Sequence, residues 1–188
     1  MSRKRRFQYA DEYIIVENQN KRGKTRKAAA YRGPSFSPQL TPEALRAHKW
    51  LSIGMALTII ALLINALSQL HAAQFFIFFS LPLACALIPG MYLVAGAVEM
   101  KSRVMPLERA QYDHSFRRVV RSTWGIIACV GISCLGFCIY WCMAHAARFG
   151  SEDLTCIYSM LLAVCVSLLL GDMQKRIQIA RTEYADLG

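Results

Sequence analysis

Four stretches of this chain, residues 50–70, 74–98, 124–147 and 154–171, contain not one Lys, Arg, Asp or Glu. Nothing else in the sequence limits the fold as strongly. A run of about 20 apolar residues, rising 1.5 Å each in a helix, crosses a hydrocarbon layer about 30 Å thick. Backbone amides and carbonyls find no water there, so each run must pair them internally as a helix. Four buried helices of a water-soluble domain would carry charged outer faces, and these carry none. Composition agrees: 55% of the 188 residues are hydrophobic and only 18% are charged, against about 25% charged in a soluble domain. A disordered chain is excluded by that apolar content, and a disulfide-stapled miniprotein by the length. The expected fold class is all-α: a polytopic membrane protein with four transmembrane helices over residues 41–188, behind a basic tail over 1–40.

The charges give an orientation. Of 22 Lys and Arg, 12 fall in residues 1–49, six in the loop 99–123 and three in 172–188, while the short connections 71–73 and 148–153 hold none and one. The positive-inside rule then places both termini and the central loop in the cytoplasm, as expected for a multi-pass protein of the plasma membrane. Trp50 and Trp124 stand at the inner ends of helices 1 and 3, where aromatic belts form. The first apolar run starts near residue 50, so helix 1 is expected to serve as an uncleaved anchor rather than a signal peptide. Within the tail, Tyr13, Ile14, Ile15 and Val16 have strand propensity, and residues 28–33 offer a returning strand. An isolated two-stranded unit is marginal in water, so the tail is either disordered or a small β-hairpin, with 34–38 an irregular linker. Thr41-Pro42-Glu43 reads as the start of helix 1. Pro106 is expected to open a cytoplasmic helix over 107–121, since Tyr112, Phe116, Val120 and Trp124 recur every four residues.

Candidate chemistry lies in a few groups. Arg3, Lys4, Arg5 and Arg6 in the tail, with Arg117, Arg118 and Arg121 in the central loop, suit anionic lipid headgroups at the cytoplasmic face or a protein partner. The charge is explained by topology and lipid attraction, and with no RNA-binding motif present nucleic acid is not an expected partner. All seven cysteines fall inside the spans. Cys134, Cys138 and Cys142 repeat every four residues, with His145 three further on. Cys134 and Cys142 stand about 12 Å apart along the axis, so only Cys138, Cys142 and His145 could converge on one soft metal ion. The same cysteines serve equally as small packing residues. Gly125, Cys129 and Ser133 on helix 3, and Ala86 and Gly90 on helix 2, form small-xxx-small faces for close helix contact. Pro82 and Pro89 are expected to break helix 2.

No span holds an ionisable carboxylate or base other than His145, and Asn65 is the other strong polar member. A coupled carrier usually exposes an ionisable group to its pathway. No phosphate loop, nucleophile elbow or metalloprotease motif occurs, and no cofactor is expected. The reading is a non-enzymatic accessory, assembly or regulatory subunit that packs against itself, as a homo-oligomer, or against a larger membrane-protein partner. Two other readings stand beside it: an oligomeric small-solute transporter, and a membrane metal-binding or thiol-redox protein.

Overall fold

The computed structural model describes residues 12–19, 25–69, 77–101, 106–143, 151–177 and 179–182. Its elements run β1 (Tyr13–Gln19), β2 (Thr25–Tyr31), β3 (Ser35–Pro38), α1 (Pro42–Ser68), α2 (Ile77–Cys85), α3 (Leu87–Glu99), α4 (Arg109–His114), α5 (Phe116–Met143), α6 (Ser151–Lys175) and β4 (Ile179–Thr182). Four helical segments, Pro42–Ser68, Phe79–Glu99, Arg109–Ile139 and Ser151–Lys175, are long and apolar enough to cross a membrane.

Local chemistry sets their ends. Thr41 caps α1 by accepting a hydrogen bond from the Ala44 amide at 3.3 Å, with Pro42 behind it needing no partner. The second span is broken once, at Ala86. Pro89 supplies no N–H for the Cys85 carbonyl and its ring crowds that carbonyl, so the helix parts there. The Ala86 amide bridges the step by reaching both the Pro82 and Leu83 carbonyls at 3.0 and 3.2 Å. The third span is broken at Ser115, whose hydroxyl and amide both return to the Gln111 carbonyl, at 2.8 and 3.1 Å. Such back-bonding competes with the helical ladder and bends it.

The four spans close into a ring. α1 packs on α6 and α3, while α5 packs on α2, α3 and α6. The buried seam on α1 is Ser52, Ala56, Ile59, Leu63 and Ala66, and on α6 Cys156, Met160, Ala163, Ser167, Leu170 and Gln174, with Leu45 and Ser159 buried besides. Both sets step by three and four, the seam of a left-handed bundle. Large apolar side chains point the other way: Trp50, Leu57, Ile64, Leu81, Ile88, Leu135, Tyr158 and Leu169 are all more than half exposed. Only 28–33% of each span's apolar stretch is buried. In water that surface would aggregate. It is compatible with a lipid environment, and the small residues are left for the helix contacts. The architecture is that of a multi-pass membrane bundle.

Polar groups inside the bundle join helices. Asn65 Nδ2 donates to Ser159 Oγ at 2.8 Å, and Gln174 Nε2 to Ser52 Oγ at 3.0 Å. Ser133 Oγ donates to the Phe79 carbonyl at 3.1 Å, and the Cys156 thiol to the Ala66 carbonyl at 3.4 Å.

At one end of the bundle the polar segments are stitched together. β1 and β2 pair antiparallel from Tyr13 opposite Tyr31 to Gln19 opposite Thr25. β3 pairs antiparallel with β4, Ser35 opposite Thr182 and Pro38 opposite Ile179. Phe36 and Leu107 exchange both backbone hydrogen bonds, at 2.9 and 2.8 Å. Two expectations are corrected here. Residues 35–38 form a strand rather than an irregular linker, because the chain after α6 supplies the pairing partner. Leu107 belongs to that bridge instead of a helix; α4 starts two residues later and stops at Ser115.

Candidate functional site

The α4–α5 corner and the first half of α3 line an open cleft of about 640 Å³ at the stitched end of the bundle. Arg109, Asp113, His114, Arg117, Arg118, Arg121 and Ser122 line one side; Ile88, Pro89 and Tyr92 line the other. The Ser115 break falls among its residues: Arg109, Asp113 and His114 precede it on α4, and Arg117, Arg118, Arg121 and Ser122 follow it on α5. Gly125 brings the helices together below the cleft, since a Cβ there would stand 3.1 Å from Pro89 Cβ. Gly96 does the same above, where a Cβ would meet Val119 Cγ2 at 3.0 Å and the Ser115 carbonyl at 3.3 Å.

The arginines are held loosely. Arg117 pairs with Asp113 at 3.1 Å one turn back, and Arg118 reaches Glu99 at 3.5 Å while its guanidinium lies 4.7 Å from the centre of the Tyr92 ring. Arg109 pairs with Glu12 at 3.0 Å. Each pair is partly or largely solvent-exposed, and such pairs are worth roughly 0–1 kcal/mol. Arg121 is exposed and has no carboxylate partner among the described residues.

Tyrosines before β3 clamp the N-terminus of α4. Tyr13 donates its hydroxyl proton to Glu108 Oε2 at 2.8 Å. The Tyr31 oxygen lies 3.0 Å from both Glu12 Oε2 and the Pro34 carbonyl, with one proton between them, and accepts from the Arg109 amide at 3.1 Å. Hydrogen bonding to the Glu108 carboxylate, then burial and the nearby carboxylates, push Tyr13 up from 10.0 to about 12. Tyr31 is raised as well, chiefly by burial, with the Arg109 amide opposing. A raised folded value means the clamp contributes fully below pH 10 and is lost as pH rises through 10 to about 12. Ultraviolet titration of tyrosinate should therefore show late-ionising phenols, one of which disappears in Tyr13→Phe, and no change in clamp contacts across the neutral range. An early-ionising Tyr13 contradicts the clamp.

The sequence-derived candidates fall as follows. Arg117, Arg118 and Arg121 line the cleft; Arg3, Lys4, Arg5 and Arg6 lie outside the described residues. Ala86, Gly90 and Ser133 are buried at helix contacts, Gly90 against Ile60 and Leu63 of α1, with Gly125 against Pro89 and Cys129 packed on the core. Cys138 and Cys142 are exposed on the outer face of α5, and His145 lies outside the described residues. No group of three His, Cys, Asp or Glu among the described residues is placed to hold a metal ion. Cys142 and Cys156 are both free thiols, Cys156 buried against α1. The sequence places Arg109 with Arg117, Arg118 and Arg121 on the polar side of the expected cytoplasmic helix without marking it as a site residue, and gives no notice of Tyr92. A signal for Tyr92 was present: Tyr92 and Glu99, seven apart on one helix face, both meet Arg118.

Comparison with protein-family models, with characterised proteins and with solved structures finds no match, so the role of the chain is argued from its own residues.

Proposed function

We propose that the chain is a non-enzymatic accessory, assembly or regulatory subunit of a membrane complex, formed with its own copies or with a larger membrane protein. In this reading it sits in the plasma membrane with both termini and the arginine cleft on the cytoplasmic side, where its excess of Lys and Arg favours them. One observation carries the reading: Asn65, Ser133 and Gln174 spend side-chain hydrogen bonds on joining one helix to another. Asn65, the residue a solute pathway would need, holds Ser159, and Gln174 holds Ser52. Interhelical bonds of this kind are structural glue. The arginines of the stitched end face outward, as do the thiols of Cys85, Cys138, Cys142 and Cys165.

Solubilised from its native membrane, the chain is expected to migrate in a discrete assembly larger than the purified chain. In proteoliposomes it should give no solute flux above empty vesicles. Flux that Asn65→Leu abolishes would replace this reading with transport. Sidedness is checked separately: in a cysteine-free chain, Gln39→Cys should resist an impermeant maleimide in intact cells, and labelling there reverses the orientation.

A further inference from the structure

We propose that the arginine cleft is a binding site for an anionic phospholipid, its phosphate held among Arg117, Arg118 and Arg121 and one acyl chain laid along α3 and α2. The inference deepens the reading above in one respect: it takes this end of the bundle to face a leaflet surface.

Charge chooses the headgroup. Four guanidinium groups line the cleft against one carboxylate, Asp113. Glu99 and Glu12 stand beside Arg118 and Arg109, and Arg121 alone is free of any carboxylate among the described residues. The planar fork of arginine matches phosphate oxygens in pairs, and the exposed ion pairs of Arg117 and Arg118 are weak enough to be shared with a second anion.

The opposite wall chooses a lipid over a soluble phosphate. Ile88 and Tyr92 are 61% and 49% exposed, and the same face continues through exposed Cys85 to Leu81, 56% exposed. Positions 81, 85, 88 and 92 step by four, three and four, a helical spacing carried across the Ala86 step from α2 to α3. From Tyr92 in the cleft the stripe runs about 16 Å along α3 and α2 to Leu81, near the far end of the span. A soluble phosphate has no use for that track; an acyl chain fills it. Tyr92 joins the two halves, since its ring carries the Arg118 guanidinium while its body extends the apolar stripe. Depth fits too: Pro89 stands beside Gly125, and Arg121 lies one turn nearer the charged end than Gly125.

The full chain, purified in detergent with equal amounts of phosphatidylglycerol and phosphatidylcholine, is examined by native mass spectrometry for retained lipid. Wild type should retain phosphatidylglycerol in preference, and Arg121→Gln and Arg118→Gln should each reduce that preference by about fivefold. Lys175→Gln/Arg176→Gln, which removes two positive charges from the same end outside the cleft, should leave it unchanged. Glycerol 1-phosphate added in excess should not displace the lipid. Three results overturn the site: no preference in wild type, an equal loss in the Lys175/Arg176 variant, or retention of soluble phosphate in place of lipid. None of these touches the accessory-subunit reading, whose own tests are assembly size and flux. Circular dichroism of each variant confirms that a lost preference comes from a folded chain.

Discussion

Replacing Gly96 with leucine should cost the bundle about 2–3 kcal/mol, the upper part of the range for overpacking a filled contact. A single Cβ at this position would already approach Val119 Cγ2 at 3.0 Å, the Ser115 carbonyl at 3.3 Å and the Val119 amide at 3.4 Å. Two of the three are backbone atoms, which cannot rotate away as a flexible side chain can. The added isobutyl group would force α3 off the α5 corner, and lipid-covered surfaces offer little hydrophobic drive to pull it back. Gly54→Leu and Gly131→Leu are the matched controls. No atom lies within 4 Å of a Cβ built at either, so both should change stability by less than about 1 kcal/mol, in the direction of better helix propensity. Unfolding in mixed micelles under increasing denaturing detergent measures all three. A Gly96→Leu chain as stable as its controls would mean that α3 and α5 do not approach as closely as described.

What the sequence revealed, and what it hid, divides along this contact. The spans were legible because a membrane helix is specified locally: an uncharged run of sufficient length has only one way to satisfy its backbone. The start of α1 was legible for the same reason, since Thr41 and Pro42 act on amides within three residues of themselves. Small residues at 86, 90, 125 and 133 pointed to close contact because size alone decides how near two backbones come. Gly96 carried the same chemical hint, yet its partner is a bend at Ser115, and a bend set by one hydroxyl returning to Gln111 leaves no periodicity to read. The cleft straddles that break. Its four arginines were visible as the polar side of one expected helix, but the apolar wall came from a different span, and pairing α3 with α5 is a fact of tertiary packing.

The same limit explains residues 35–38, and a substitution there gives the second large expected effect. Phe36→Ala should reduce amide-exchange protection by about thirtyfold over the β3 and β4 strands, Leu107 and α4, equivalent to about 2 kcal/mol, while leaving the spans protected. Phe36 is the meeting point of three distant segments. Its backbone pairs with Leu107 in both directions, its strand neighbours β4, and its ring stacks on Tyr112 at 4.6 Å, nearly parallel at 9°. Tyr112 in turn stacks on Phe116 at 6.1 Å, so the aromatic column leads directly from β3 to the start of α5. Removing the ring deletes the half-buried contact area and opens a gap beside Leu107, which is only 3% exposed. The expected cost stays below the about 3–5 kcal/mol of a fully buried Phe→Ala change because Phe36 is only partly enclosed. Phe36→Leu should recover roughly half of the protection, since it restores apolar volume without the stack. The effect must be local. α1, α3, α5 and α6 hold one another through contacts that do not include β3, so their exchange should be unaltered. Were the spans to lose protection together with the strands, the stitched end would be part of the cooperative bundle instead of a separately opening unit. Were neither to change, the aromatic column would not be what holds α4 against β3.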